Sequence, residues 1–386
     1  MELKLSRREL GLAAMGSVGL ARAQAPAAPT YTGPLDGVLD KVNPESFDPV
    51  AWTLKRYQTM PLEMTFKARD RKQAEAWQKR LRGKLTELLG GFPAERSPLK
   101  AETLEVREFP KYRREKFVFQ SRQDFSVLGY LLTPLEKKGP HAAMICVPGH
   151  GRGVDDIVGI DAEGRDRTNK AGYQHDFAVQ AVEQGMAAVA IEPMAFGCRR
   201  DAAAKKKGLG ASSCQPTAGA ALLMGETMIG WRVWDVMRTV DWIETRKDLD
   251  DSRIGCMGIS GGGTCTLFAS ALERRIGVAY VSGYLNTFRD SIFSLSHCID
   301  NYVPGILKWA EAYDVAGLIA PRPLFVESGE KDGIFPIAAS KASFEQVKKI
   351  YGVFGAADVV EQEVFPGEHS FFGKRGLPFV AKQLKV

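Results

Sequence analysis

The chain has 386 residues, 45% of them hydrophobic and 25% charged, so it is long enough to bury a large core. Its formal net charge of +6 is small and scattered, which argues against a nucleic-acid partner. No stretch is long and apolar enough to span a bilayer, which takes about 20 residues.

The first 23 residues read as a signal peptide. Ser6-Arg7-Arg8-Glu9-Leu10 opens a basic region, a Gly- and Ala-rich apolar stretch runs to Leu20, and Ala21-Arg22-Ala23 supplies small residues for cleavage after Ala23. The paired arginines are of the twin-arginine kind, so the expected location is periplasmic or secreted, with no stable membrane insertion after processing. Removing Lys4, Arg7, Arg8 and Arg22 with Glu2 and Glu9 lowers the net charge to +4.

Residues 24–116 read as an N-terminal extension. Gln24 to about Asp48 is rich in Ala, Pro and Gly and is expected to be extended. Helices are predicted from Pro49 to Tyr57 and from Asp70 to Leu89, the second with Ala74, Trp77, Leu81, Leu85 and Leu88 at helical spacing and Gly90-Gly91 as its stop. That apolar face is expected to pack on the main domain. Leu104–Val106, Glu115–Gln120 and Phe125–Thr133 read as antiparallel strands.

From residue 117 to the C-terminus one α/β domain is expected. Strands at Ala142–Val147, Met186–Ile191, Arg253–Ile259, Val278–Val281, Pro323–Ser328 and Val359–Pro366 alternate with helical patterns, the signature of a mostly parallel sheet covered on both faces. A long amphipathic stretch covers Ala218–Thr245, and Lys205-Lys206-Lys207 is expected in a solvated loop. Residues 282–315, with Tyr284, Phe288, Phe293, Tyr302 and Trp309, sit where a cap over a site would lie, and Tyr302 is taken as a substrate contact.

The chemistry concentrates at Gly258-Ile259-Ser260-Gly261-Gly262, between an apolar strand and the helix Thr264–Leu272. A serine on so sharp a strand-to-helix turn needs neighbours without side chains, and it can act as a nucleophile there. Short motifs recur by chance, so its partners must appear independently. Asp332 follows the strand Pro323–Ser328, and His369 follows the strand Val359–Pro366, in the order that a serine, acid and histidine require on such a sheet. Glu330 competes with Asp332 for the acid role. Backbone N–H groups of Gly261 and of Gly151 or Arg152, on the loop Pro148-Gly149-His150-Gly151-Arg152-Gly153, are the expected donors to an oxyanion. Arg152 is also a candidate substrate contact, and His150 reads as a packed loop residue.

Pro148-Gly149-His150-Gly151-Arg152, Asp241-Trp242-Ile243 ahead of the serine turn, Gly329-Glu330-Lys331-Asp332, Asn301-Tyr302-Val303-Pro304-Gly305 and Ile319-Ala320-Pro321-Arg322-Pro323 resemble the α/β-hydrolase superfamily. More narrowly they are similar to its acetyl xylan esterase-like and dienelactone hydrolase-like bacterial branch. The resemblance runs from about Phe117 to the C-terminus and implies carboxylic-ester hydrolysis without a cofactor, with acetylated carbohydrate as a candidate substrate. Gly261-Gly262 stands where better-known members carry a glutamine after the serine.

The expected activity is therefore that of an exported serine esterase acting on a small-molecule or carbohydrate ester, with Ser260, His369 and Asp332 as its triad. The alternatives are a peptidase or lactone hydrolase of the same fold, or a catalytically silent carbohydrate-binding relative. Six cysteines leave the pairing open. Cys146, Cys256 and Cys265 fall in core elements, whereas Cys198 and Cys214 bracket the insertion Arg199–Ser213 and are either bridged or free. No C-x-x-C or His-x-x-x-His spacing occurs, so no metal is expected.

Overall fold

Alternation of side chains along the strands decides how this chain layers. In the computed structural model, which describes residues 33–386, the strand His141–Val147 sends Ala143, Ile145 and Val147 into one apolar core and Ala142, Met144 and Cys146 into another. A strand buried on both faces needs helices on both, and the chain supplies them.

In chain order the strands are β1 (Glu102–Glu108), β2 (Tyr112–Arg122), β3 (Phe125–Pro134), β4 (His141–Val147), β5 (Ala187–Ile191), β6 (Leu249–Ile259), β7 (Val278–Ser282), β8 (Leu324–Gly329) and β9 (Val360–Phe365). The helices are α1 (Pro49–Thr59), α2 (Arg71–Leu88), α3 (Phe177–Glu183), α4 (Ala202–Lys206), α5 (Cys214–Leu223), α6 (Met228–Glu244), α7 (Gly261–Leu272), α8 (Ala312–Gly317), α9 (Ile337–Val353) and α10 (Gly376–Gln383). One nine-stranded sheet runs β1-β2-β3-β5-β4-β6-β7-β8-β9. Its first three strands are antiparallel, and β5 through β9 pair in parallel with β4 among them. Side chains of α2, α6, α7 and α9 fill one core, and those of α3 and α10 fill the other. The edge strand β1 is exposed throughout and carries Glu102, Glu105, Arg107 and Glu108, charges that discourage pairing with another sheet.

The described residues divide into a short unit ending at Trp52 and a large one of residues 53–386. In the short unit the stretch expected to be extended makes a 3₁₀ turn at Pro44–Phe47, capped by the Asn43 side chain. The expected signal peptide falls outside the described residues. In the large unit the expected boundary at residue 117 falls inside β2, and the leading strands belong to the one nine-stranded sheet. Helix α2 is capped by Asp70, and it buries Ala74, Trp77, Leu81 and Leu85 against that unit's core. Its Gln78 side chain donates to the carbonyls of Gly317 and Ala320 beneath it.

Two other expectations change. The stretch Ala218–Thr245 is two helices, because Gly225 takes a positive φ of 76° and Thr227 starts α6 by accepting from the Gly230 amide at 3.0 Å. Lys205 and Lys206 lie in α4, whose first turn is capped by Asp201 at 2.9 Å from the Ala204 amide. No helix among the described residues is long and apolar enough to cross a membrane.

Candidate active site

Ser260 alone makes the turn between β6, which ends at Ile259, and α7, which begins at Gly261. Its backbone sits at φ 58°, ψ −123°, a conformation that costs roughly 1–3 kcal/mol and persists only where packing enforces it. The enforcement is visible. A Cβ on Gly258 would stand 2.5 Å from the Val147 carbonyl oxygen, and one on Gly262 would stand 1.9 Å from the same atom. The strand and helix that flank Ser260 can therefore press against the end of β4 only if both positions are glycine. The Ser260 amide is held by the Ser282 carbonyl at 3.1 Å.

Asp332 and His369 meet across the loops that follow β8 and β9. The His369 Nδ1 lies 2.7 Å from Asp332 Oδ2, and the other carboxylate oxygen accepts from the amides of Ile334 and Phe335 at 2.8 and 2.9 Å. Asp332 is buried, while Glu330, the rival acid, is exposed. The imidazole is stacked between the rings of Tyr173 and Phe335, each 5.6 Å away, and rests on Gly283 after β7. Its Nε2 is buried and has no hydrogen-bond partner among the described residues.

The histidine loop has its own anchor. Glu327, wholly buried on β8, accepts four hydrogen bonds, from the Tyr280 and Ser282 hydroxyls and from the amides of Phe372 and Gly373, at 2.7 to 2.9 Å. Burial raises its pKa above the ordinary carboxylate range, and the four donors oppose that shift. Glu327→Ala leaves those donors unpaired, so an unfolding free-energy loss on the order of 3–5 kcal/mol is expected in denaturant titration. Unchanged stability would show that the carboxylate is not the anchor.

Tyr173 was not singled out by its sequence context, and it sits at the centre of the site. Its hydroxyl donates to the His150 carbonyl at 2.7 Å and also meets the Ser260 hydroxyl, while burial pushes the phenol's pKa up. A Cβ on Gly149 would lie 2.3 Å from that hydroxyl, so the glycine makes room for the tyrosine. The Tyr173 carbonyl accepts from the Phe371 amide at 2.8 Å, tying the segment to the histidine loop.

The loop after β4 distributes its amides unequally. The Gly149 amide donates to Gln174 Oε1 at 2.8 Å, and the Arg152 amide to Asp156 Oδ2 at 2.7 Å. Arg152 is thereby removed as an oxyanion donor. Its guanidinium is also committed, to Asp156 at 2.5 Å and to the Ile160 carbonyl at 2.7 Å, so it braces the loop instead of facing a substrate. Among the described residues, the amides of Gly151 and Gly261 have no protein acceptor. Tyr302 lies on the segment 282–315 and is exposed, and among the described residues it makes no hydrogen bond to Ser260, Asp332 or His369.

That segment is fastened beside the serine helix by polar contacts. The Thr264 hydroxyl donates to Asn301 Oδ1 at 2.8 Å, and the buried Arg232 of α6 pairs with the buried Asp300 at 2.6 Å. All six thiols are free, which corrects the option of a Cys198–Cys214 bridge. Cys198 is exposed, whereas Cys214 at the start of α5 turns inward toward His150, Cys298 and Asp300. Hydrogen bonding from the Cys298 thiol holds the Cys214 thiol below the usual range, with His150 and Arg232 adding to the effect.

A family model, described as the Abhydrolase family, matches residues 53–366. A Bacillus subtilis protein assigned as a hydrolase, YtaP, is 26% identical over 286 residues, which is 72% of this chain and 89% of that one. Among solved structures, a Bacteroides fragilis protein assigned as an acetyl xylan esterase superposes with a TM-score of 0.71 at 20% identity, covering 82% of each chain. A glucuronoyl esterase from Solibacter usitatus superposes with a TM-score of 0.62 at 17% identity, covering 84% of this chain and 97% of its own. These likenesses agree with the nine-stranded, mostly parallel sheet and its serine turn: the chain belongs to the Abhydrolase family and has the α/β-hydrolase fold.

Proposed function

We propose that this protein is an exported serine hydrolase of carboxylic esters, acting on acetyl or other short acyl esters of carbohydrate. The observation that carries this reading is the 2.7 Å contact of His369 with Asp332, beside a serine held at positive φ next to two amides without acceptors. In this reading the Ser260 hydroxyl turns from Tyr173 to His369 Nε2, gives up its proton and attacks the ester carbonyl. The amides of Gly261 and Gly151 receive the developing oxyanion. His369 then protonates the departing alcohol, and water hydrolyses the acyl-enzyme by the same steps in reverse. Asp332 keeps the imidazole in the Nδ1–H tautomer. No cofactor enters these steps.

Carbohydrate as the substrate class is supported by similarity to a protein assigned as an acetyl xylan esterase, whose sugar is the alcohol, and to a glucuronoyl esterase, whose sugar is the acid, and export by the basic, Ala-rich leader. A kinetic screen of aryl esters from acetyl to octanoyl, alongside acetylated xylo-oligosaccharides and a glucuronate methyl ester, tests the substrate class. The expected result is kcat/KM at least about tenfold higher for acetyl than for butyryl esters, with turnover of the acetylated sugar. Preference for long chains, or for the glucuronate ester alone, would overturn the acetyl reading.

A further inference from the structure

Four potential metal ligands converge beside the serine turn although they are scattered along the chain. His150 comes from the loop after β4, Cys214 from the start of α5, and Cys298 and Asp300 from the segment that precedes α8. One ligand atom from each lies within 4.8 Å of all the others. Cys214 Sγ is 3.7 Å from His150 Nε2 and 3.4 Å from Asp300 Oδ2, and those two atoms are 3.4 Å apart. In a tetrahedral zinc site with bonds of about 2.0–2.3 Å, neighbouring ligand atoms are separated by roughly 3.3–3.8 Å. The three edges match that spacing before any ion draws them together.

We propose that His150, Cys214, Cys298 and Asp300 form a binding site for one zinc ion. Two thiolates, an imidazole and a carboxylate make a ligand set suited to zinc, and too soft for magnesium or calcium. Arg232 stands behind the site, with its guanidinium 2.6 Å from Asp300 Oδ2 and 3.8 Å from Cys214 Sγ. Its positive charge adds to that of the ion, and the ligand set is anionic enough to hold both. Two thiolates and a carboxylate carry three negative charges, which the divalent ion and the guanidinium together neutralise. Arg232 is fixed in turn by the Met194 carbonyl at 2.8 Å, and Asp300 Oδ1 accepts from Asn301 Nδ2 at 2.9 Å, so both have oriented outer partners. Cys214 and Asp300 are buried, while His150 and Cys298 are half-exposed and leave one side open for entry.

With four protein ligands the ion is structural and not a Lewis acid for the ester. It cross-links the loop that carries the Gly151 amide to α5 and to residues 298–300, next to Gly261, whose Cβ position lies 3.3 Å from His150 Nδ1. Binding displaces the thiol protons from each cysteine that is not already ionised, with no change of oxidation state.

Untagged full-length protein, purified with a non-chelating reductant, provides the test. Elemental analysis should find one zinc per chain after reconstitution, and cobalt(II) in its place should give a thiolate-to-cobalt charge-transfer band and the intense visible bands of a tetrahedral ion. Cys214→Ser and Cys298→Ser should each lower zinc affinity by about 100-fold or more and remove the charge-transfer band or halve it. Zinc should raise the melting temperature of the parent protein and not that of the variants. The parent's metal content and cobalt spectrum decide the matter even where a variant does not fold. Absence of binding at micromolar zinc, an octahedral cobalt spectrum, undiminished affinity in both serine variants, or a native Cys214–Cys298 disulfide in non-reducing peptide maps would each overturn the site.

Discussion

Ser260→Ala should lower kcat for an aryl acetate by about a hundred-thousand-fold while the protein stays folded. Removing the nucleophile of a serine–histidine–acid triad costs about as much as removing the whole triad, because the remaining members have nothing to activate. The residual rate would come from the amides of Gly261 and Gly151 and from binding. Alanine occupies the same strained φ of 58° as serine and keeps the Cβ, so the turn enforced by Gly258 and Gly262 should survive. What the variant loses is the hydroxyl that meets Tyr173. Steady-state kinetics, loss of fluorophosphonate labelling and an unchanged circular dichroism spectrum check the three parts of this expectation. Activity within about tenfold of the parent would mean that another group attacks the ester.

Asp332→Asn should lower kcat by about ten-thousand-fold, and the surrounding amides explain why a nearly isosteric change is so costly. Oδ1 of Asp332 accepts from the Ile334 and Phe335 amides, so an asparagine there must turn its oxygen toward those two donors. Its NH₂ group then faces His369 Nδ1, which must become an acceptor. The ring proton moves to Nε2, the atom needed to take a proton from Ser260, and the base is lost without loss of position. The two amides thus determine the tautomer as surely as the carboxylate does. Stability should change little, because each hydrogen bond keeps a partner. The pH–rate profile should show partial recovery at high pH, where the neutral imidazole's wrong tautomer can be bypassed by hydroxide. Full activity at neutral pH would exclude Asp332 as the orienting acid and return attention to Glu330.

The sheet was readable because its strands are buried on both faces and therefore appear as short apolar runs, such as Ala142–Val147 and Pro323–Ser328. Helix α2 was readable from Ala74, Trp77, Leu81 and Leu85, since one side of it meets the core and periodicity survives. The break between α5 and α6 was harder to see, because apolar residues continue on both sides and the interruption at Gly225 and Thr227 is short. The boundary at residue 117 falls within β2 because β2 and β3 form a local hairpin that joins the sheet through the pairing of β3 with β5, a strand far along the chain that no local window contains.

Site residues divide the same way. Ser260, Asp332 and His369 each follow a strand end, so strand order and local turn composition were enough to nominate them, and the fold places His369 Nδ1 against Asp332. Arg152 could not be judged from its neighbours in sequence, since Asp156 and the Ile160 carbonyl reach it only after the loop closes on itself. Tyr173 lies in a loop with no motif, and its hydroxyl acquires importance only where that loop crosses the ends of β4 and β6.

By itself, then, the sequence determined the alternating α/β architecture, the position of the serine turn and the order of its partners, because burial on two faces and strand-end chemistry leave local traces. Tertiary structure alone decided which amides stay free, that Tyr173 and Glu327 brace the loops beside Ser260 and His369, and that His150, Cys214, Cys298 and Asp300 converge. Those are contacts between segments far apart in the chain, as His150 and Asp300 or Tyr173 and Phe371 are, and no local pattern encodes the direction in which such side chains point once the sheet brings the segments together.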